Sequence, residues 1–184
     1  YVALGKNKNA FVSFGSSGNG STGHLAGELL KARSGMSAEH INYKGGGPAM
    51  TDLLGGNITA IFASTPTAVP LLNAGKIKAI AITSPKRMAA LPDVPTVAEQ
   101  GYPGYQALNW YAFIAPPKLS PEIIQKLNQA IVATLKDPET VAKLRNVDLE
   151  PAPSSPQELY AFAKSENEMW GRIIKSINLY IMMI

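Results

Sequence analysis

The stretch FVSFGSSGNGSTGHLAGELL, residues Phe11 to Leu30, decides the fold of this chain. Its first residues are mostly aromatic or β-branched, as in a short buried strand. A run of glycine and small polar residues follows, and beyond it the apolar residues recur at helical spacing. The stretch therefore predicts a strand, a glycine loop and a helix in direct succession, which is the repeating unit of a parallel α/β sheet.

The same alternation of strand and helix continues through the first two-thirds of the chain. It predicts a mainly parallel sheet with helices on its faces. The four predicted strands are Phe11–Phe14, His40–Lys44, Ile58–Phe62 and Ile77–Thr83, and the predicted helices are 20–33, 48–54 and 66–73. Residues 84–104 contain four prolines and two glycines, so they form a long connection with at most one helical turn. An extended aromatic segment follows.

The last third of the chain is predicted to be helical. Ser120, Asp137 and Ser155 each precede a proline, with a carboxylate in the turn that follows, which is the signature of a capped helix start. The first and third of these helices each carry one apolar stripe that needs a surface to cover. The stripes are Ile124, Leu127, Ile131 and Leu135, and Leu159, Phe162, Met169, Trp170, Ile173 and Ile177. The final LYIMMI fits a strand or a helix end.

Composition narrows the classes of function. The 184 residues are 46% apolar and 16% charged, which is typical of a soluble globular protein. The net charge of +4 suits an anionic small molecule, but the basic residues are scattered, which argues against nucleic acid as a partner. Cysteine is absent, so disulfides, thiolate metal sites and a cysteine nucleophile are excluded. The chain contains no run of 18 apolar residues that would predict a membrane span.

The glycine loop resembles two nucleotide-binding motifs without completing either. Gly15 and Gly20 have the spacing of a P-loop, but Ser21 stands where that motif needs lysine. The glycines from Gly18 to Gly23 satisfy G-x-G-x-x-G, yet the second strand ends in Lys44 rather than in an acidic residue. A lysine there suits the 2′-phosphate of NADP, so an NADP-dependent oxidoreductase of Rossmann type stays as the alternative.

Hydrolytic and metal chemistry lack the residues they need. The only histidines are His24 and His40, and no G-x-S-x-G elbow is present. Without a clustered carboxylate, two histidines do not predict a metal site. We interpret His24 as a partly exposed helix residue that is hydrogen-bonded to backbone.

Simple anion binding is the chemistry that remains. Free N–H groups at a helix start, together with uncharged hydroxyl and amide side chains, can hold a carboxylate or phosphate. The loops after the second and third predicted strands repeat this pattern, as YKGGGPAM and as Ser64-Thr65-Pro66. Three strand ends with such donors and no acid–base pair predict a receptor rather than an enzyme, without cofactor or metal.

Four segments resemble one family closely. GSSGNGSTGHLAGELLKARSG, YKGGGPAMTDLLGG, AGKIKAIAITSPKRMAALPDVPTVAEQGYPGY and the SPQEL…FAKSENEMWGRIIK ending are similar to the substrate-binding receptors of bacterial tripartite tricarboxylate transporters, the Bug receptors. The resemblance implies the α/β fold of type II periplasmic binding proteins, with two lobes that close on a carboxylated metabolite. It also implies a periplasmic receptor that delivers its ligand to a membrane permease and needs no cofactor.

The resemblance further implies a ligand site and a division of the chain. Residues 1–104 would form the second lobe, 105–117 the crossover, and 118–184 helices that pack on the first lobe, most of which this C-terminal portion would lack. A signal peptide is expected upstream. IFAST stands where the family often has an Asp-Asn pair, which leaves the ligand open. Dimerisation through the apolar stripes is a further alternative. The ligand-binding residues implied are Ser17, Gly18, Asn19, Gly20, Ser21, Thr22, Gly45, Gly46, Ser64 and Thr65.

Overall fold

A computed structural model describes residues 1–146 and 149–176 of the chain. These residues divide into two compact units, each of which is described by itself. The first unit contains Tyr1–Asn109 together with the described residues from Arg172 onward, and the second contains Trp110–Gly171. The boundary at 109/110 falls inside the aromatic segment for which the sequence predicts neither helix nor strand, and none is formed at 105–120.

The first unit is built on a three-stranded parallel sheet in the order β2-β1-β3. The central strand β1 is Ser13–Ser16, and all four of its residues are buried. Its neighbours are β2, Glu39–Asn42, and β3, Ala60–Ile61. Gly15 pairs with Ile41 on one side and with Ile61 on the other. The first three predicted strands are therefore confirmed, with bounds shifted by one or two residues, and so is the α/β class.

Each of these strands is followed by a helix, as predicted. Glycine ends the first of the long helices: Gly35 lies in the left-handed region (φ 68°) and its N–H donates to the carbonyl of Lys31. The helices of the first unit are α1, Val2–Lys6, α2, Thr22–Ser34, α3, Gly46–Leu54, and α4, Thr65–Asn73.

The core of the first unit lies between β1 and α2. Phe14 of β1 is 1% exposed and packs against α2 at Gly27, where a Cβ atom would collide with the Phe14 ring. Tyr105, also 1% exposed, donates from its hydroxyl to the carbonyl of Ala26 at 2.7 Å. This bond ties the segment after the long connection back onto α2, 79 residues earlier in the chain.

The prediction of a fourth strand at Ile77–Thr83 was wrong. Within the described residues this segment forms only one isolated parallel bridge, between Ile82 and Thr96. The backbone of Ile82 instead bonds with the end of the long connection, at Pro95 and Val97. The N–H of Ile82 donates to the carbonyl of Pro95, and that of Val97 donates to the carbonyl of Ile82, each at 2.9 Å. β3 is only two residues long, so it offers little ladder for another strand.

The second unit contains the three predicted capped helices, and their starts are confirmed. Ser120 and Asp137 accept from the N–H groups of Ile123 and Thr140, while Ser155 and Glu158 form the reciprocal capping box. The predicted Ile177 and the tail 179–184 lie outside the described residues. The helices are α5, Pro121–Lys136, α6, Pro138–Arg145, and α7, Pro156–Ser176, which runs on into the first unit.

The first half of the apolar stripe of α5 is uncovered. Ile124 and Leu127 are 38% and 46% exposed, and the neighbouring Ile123 is 48% exposed, whereas Ile131 and Leu135 are half-buried. By contrast, Trp110 packs edge-on against Phe162 of α7, with ring centroids 5.4 Å apart. Among the described helices, none is both long enough and apolar enough to cross a membrane.

The contact between β1 and α2 predicts a marked difference between two glycine substitutions. Gly27→Ala would drive a methyl group into the Phe14 ring, so we expect it to lower the free energy of unfolding by about 1–3 kcal/mol. Gly47→Ala is the control, because its Cβ would meet nothing within 4 Å, and we expect a change within about 0.5 kcal/mol. Urea denaturation measures both. Equal effects would contradict the packing described for α2 on β1.

Candidate ligand-binding site

The candidate site lies at the carboxyl edge of the sheet, where α2, α3 and α4 begin. All three strands are parallel, so their carboxyl ends meet at this edge. Backbone contacts hold the loops together, because the N–H of Gly45 donates to the carbonyl of Ser17 at 3.1 Å. A Cβ atom at Gly46 would lie 3.5 Å from Thr67, and one at Gly23 would lie 2.6 Å from the carbonyl oxygen of Phe62. The three helix starts are therefore direct neighbours.

Glycine gives the loop between β1 and α2 its shape. Gly18 and Gly20 have φ values of 154° and 75°, conformations that residues with a side chain rarely adopt. The chain then returns to extended backbone at Ser21, the N-cap of α2, whose hydroxyl oxygen accepts from the N–H of His24. Because this oxygen accepts in the cap, the hydroxyl proton of Ser21 stays available to donate to a ligand.

The three helix starts at this edge differ from those in the second unit. None of α2, α3 and α4 has an acidic residue in its first turn, and neither Gly45 nor Ser64 forms a side-chain cap. By contrast, α5, α6 and α7 each carry a first-turn carboxylate, Glu122, Glu139 and Glu158. A helix N-terminus attracts negative charge. At the sheet edge, the first turns of α2, α3 and α4 do not supply that charge.

The predicted site residues divide into two groups. The main-chain and hydroxyl groups of the loop surround the start of α2, with Ser17 and Asn19 exposed and Ser21 and Thr22 half-buried. Gly45 is the N-cap of α3 and Gly46 its first residue, so both belong to the same edge. Ser64, the N-cap of α4, and Thr65, its first residue, form hydrogen bonds with neighbouring side chains. Ser64 Oγ lies 3.0 Å from Thr67 Oγ1, and Thr65 Oγ1 donates to Sδ of Met88.

One residue at this edge was not predicted. Oγ1 of Thr22 lies 3.5 Å from Oδ1 of Asn109, which is 87 positions later in the chain. Asn109 therefore adds an amide beside the start of α2. The sequence gives no sign of this proximity, because it results from the path of the chain after Tyr105.

Two stacked histidines lie beneath the loop. The rings of His24 on α2 and His40 on β2 are 3.8 Å apart between centroids and inclined by 10°. The N–H of Gly20 donates to Nδ1 of His24 at 3.0 Å, and Nε2 of His40 lies 2.7 Å from Oγ of Ser16. The hydrogen bond between His24 and backbone was expected. The prediction that His24 is partly exposed was wrong, because the residue is buried, at 5% exposure.

Both histidines are held in the neutral form. Burial is the main cause that lowers the pKa of His40 to about 4, and the charges of His24 and Lys31 add to it. Burial also lowers the pKa of His24, while Glu28 partly opposes this effect. A neutral His24 with an accepting Nδ1 carries its proton on Nε2.

Two other kinds of site within the described residues are weaker candidates for ligand binding than this edge. No group of three or more His, Asp and Glu side chains among them could hold a metal ion. A concavity of about 640 Å³ is lined by residues that include Lys6, Lys8 and Ser37. These residues precede β1 and β2, at the amino edge of the sheet, whereas ligands of α/β sheets bind at the carboxyl edge.

Comparison with known proteins identifies the family. Residues 1–179 match the model of the tripartite tricarboxylate transporter family receptor, TctC, so the chain belongs to that family. It is 34% identical to protein BugT of Bordetella pertussis over 174 residues, which are 95% of this chain and 53% of BugT. It is 36% identical over 176 residues to a UPF0065 protein of Agrobacterium vitis, covering 94% of this chain and 51% of that protein. The chain thus spans about half the length of these relatives.

Solved structures of the family share the fold. R. palustris Rpa4515 with adipate superimposes with a TM-score of 0.81 at 34% identity, covering 95% of this chain and 58% of that one. The periplasmic binding protein BugD gives 0.72 at 32% identity, covering 94% and 58%. MatC from Rhodopseudomonas palustris with bound malate gives 0.70 at 28% identity, covering 89% and 56%. The expected family and its α/β solute-binding fold are therefore confirmed.

These comparisons also separate the two classes of function that the sequence left open. The family is one of receptors, and the matched structures are solute-binding proteins rather than enzymes. None of these proteins supports the alternative of an NADP-dependent oxidoreductase. The G-x-G-x-x-G spacing of Gly18 to Gly23 therefore belongs to a receptor loop in this family.

The environment of His40 predicts how stability depends on pH. Its pKa of about 4 in the folded protein lies below the usual value of about 6.5, so the unfolded chain binds a proton first. The stabilising effect is complete above pH 6.5 and is lost as the pH falls toward 4, at up to about 1.4 kcal/mol per pH unit. His40→Gln keeps a donor near Ser16 without titrating. We expect the free energy of unfolding of this variant to fall less steeply between pH 7 and pH 4.5.

Urea denaturation at several pH values measures this difference. Carboxylates such as Glu99 and Asp137 have lowered pKa values and also lose stabilising interactions in acid. They are unchanged in the variant, so a difference between the two slopes comes from the stacked histidines, of which only His40 has been replaced. The same slope in both proteins would contradict a half-buried His40 that is neutral in the folded protein.

Proposed function

We propose that this chain is part of a periplasmic solute-binding receptor that captures a carboxylate metabolite and delivers it to a tripartite tricarboxylate-type membrane permease. One observation carries the proposal. Three adjacent helix N-termini open onto the carboxyl edge of the sheet, and no acidic side chain lies in their first turns. A carboxylate group from a ligand supplies the negative charge that these helix starts attract.

The donors at this edge are numerous enough for useful affinity. The first N–H groups of a helix have no partner within it, so those of α2 at Thr22 and Gly23 can donate to the ligand. Each hydrogen bond to a charged group contributes about 1.5–3 kcal/mol. Three or four such bonds, less the cost of ordering ligand and loop, correspond to roughly micromolar affinity.

The predicted site residues take different roles in this proposal. The hydroxyls of Ser21 and Thr22 and the N–H of Gly46 contact the ligand, with Gly45 as a neighbour whose own N–H donates to the carbonyl of Ser17. The N–H of Gly20 donates to His24, so Gly20 and Gly18 shape the loop rather than donate from their amides. The remaining proposed ligand neighbours are Ser17, Asn19, Ser64 and Thr65.

Two structural relatives suggest the size of the ligand. Rpa4515 was solved with adipate and MatC with bound malate, and both molecules are aliphatic dicarboxylates. We propose a ligand of this class, with one carboxylate at the start of α2. The binding groups at this edge are uncharged, so its specificity depends on shape and on the hydrogen bonds at the far end of the ligand.

We propose that residues 1–104 form one lobe, that 105–117 cross over, and that 118–184 pack on a further lobe. The exposed side chains of Ile123, Ile124 and Leu127 at the start of the α5 stripe support this division, because an apolar face of that kind is normally buried. The matched relatives are about twice as long as this chain, which leaves room in them for such a lobe. Dimerisation through the same stripe is the alternative.

The proposal predicts carboxylate binding that depends on the start of α2. The protein produced from its full-length gene is titrated by calorimetry with adipate, malate and citrate, and we expect at least one to bind with micromolar affinity. Ser21→Asp preserves a good N-cap but places a carboxylate in the site. We expect it to weaken binding at least 100-fold through charge repulsion, with the melting temperature unchanged or raised.

Two further variants complete this experiment. Thr22→Val removes a hydroxyl without changing its shape, and we expect Thr22→Val combined with Ser21→Ala to weaken binding tenfold or more, about 1.4 kcal/mol. Ser37→Ala is the matched control, since Ser37 is exposed before β2, at the opposite edge of the sheet. Failure of all three acids to bind, or full affinity in Ser21→Asp, would contradict the proposal.

A further inference from the structure

The stacked histidine pair lies where it can control the shape of the glycine loop. The loop contains two residues with positive φ, Gly18 and Gly20, and each is tied to one member of the pair. Gly20 donates its N–H directly to Nδ1 of His24. Gly18 is tied through Ser16, whose Oγ is 2.7 Å from Nε2 of His40. The rings themselves are in face-to-face contact at 3.8 Å.

The bonds around Ser16 form a consistent network. Its Oγ donates to the carbonyl of Gly18 at 3.0 Å and accepts from the N–H of the same residue at 3.3 Å. Because the hydroxyl has a single proton, Nε2 of His40 is the donor in their mutual bond. Ser16 is fully buried, so water cannot replace this partner.

The bond to Gly20 has a different character, because His24 accepts in it. Nδ1 can accept only while it carries no proton, so the bond exists only with a neutral ring. The charged and titratable groups that act on His24 are His40 from β2, and Glu28 and Lys31 from α2 itself. The side chains of β1 that contact the pair, Phe14 and Ser16, do not titrate in this range.

From this geometry we infer that His24 and His40 are positioning residues for the anion-binding loop, and that protonation of His24 releases Gly20 and weakens carboxylate binding. The inference rests on the proposed function of the loop. Neither ring needs to touch the ligand. His24 directs the Gly20 N–H inward and thereby fixes the backbone that leads into Ser21 and the start of α2.

Burial gives this arrangement a wide working range. It lowers the pKa of His24 below its ordinary value, so the hydrogen bond from Gly20 to Nδ1 persists through neutral pH and is lost only in acid. Two cationic rings at 3.8 Å would repel each other, which also opposes protonation of the pair. We therefore expect ligand affinity to stay constant near neutral pH. It should fall only at pH values below the range in which histidine usually titrates.

Two substitutions at His24 separate the ring from its acceptor. His24→Asn retains an acceptor oxygen close to the position of Nδ1 but cannot titrate, whereas His24→Phe retains a stacking ring without an acceptor. With adipate as the first probe, and malate or citrate if either binds more tightly, we expect Phe to weaken binding at pH 7.5 tenfold or more. We expect Asn to weaken it by less than threefold.

The pH profile is the readout that a merely structural role would not change. Between pH 7.5 and pH 5 we expect wild-type affinity to fall at least fivefold more than that of His24→Asn. Protonation of the dicarboxylate itself affects both proteins equally, so it cancels in this comparison. The same fall in both proteins, or wild-type affinity in His24→Phe, would overturn the inference.

A measurement without ligand keeps this inference distinct from the proposed function. In the ligand-free protein, ¹⁵N NMR should show His24 protonated on Nε2, and the Gly20 amide should exchange with solvent slowly in wild type and His24→Asn. In His24→Phe that exchange should be at least tenfold faster, with the melting temperature used to confirm folding. Equal exchange in all three proteins would contradict the role of the hydrogen bond from Gly20 to His24. Absence of carboxylate binding with that bond intact would instead contradict the proposed function.

Discussion

The parallel pairing of β1 with both of its neighbours is the constraint on which the rest of the first unit depends. Because Gly15 pairs with Ile41 and with Ile61, the ends of all three strands reach the same edge of the sheet. Each strand passes within a few residues into a helix, so three N-termini are brought side by side. Their partial positive charges add at this edge. An antiparallel neighbour would have carried one of them to the opposite edge.

The protein treats its helix starts in two ways. In the second unit, α5, α6 and α7 each cap one N–H group of the first turn with a side chain of their own and carry glutamate there. At the sheet edge the first turns lack such carboxylates, and the loops contain glycine, serine and threonine instead. The proposed function accounts for this difference. A start that is capped only for stability takes its anion from the chain, whereas a start that binds a ligand takes it from solution.

Much of the fold could be predicted from the sequence because it depends on local chemistry. The glycine loop, the three N-caps at Ser120, Asp137 and Ser155, and the order of strands and helices each follow from short patterns. The prediction of a fourth strand was wrong because the backbone of Ile82 pairs with the segment around Thr96. The stack of His24 on His40 and the proximity of Thr22 to Asn109 could not be predicted. They depend on strand register and on chain path, which no local pattern encodes.

The central claim is that uncharged donors at this edge recognise the negative charge of a carboxylate. The most direct measurement compares adipate with adipamide, its neutral diamide of nearly the same shape, by calorimetry on the protein produced from its full-length gene. If charge is recognised, adipate should bind with micromolar affinity and adipamide at least 100-fold more weakly, a difference of about 2.7 kcal/mol. Equal affinity for the two molecules would contradict the account.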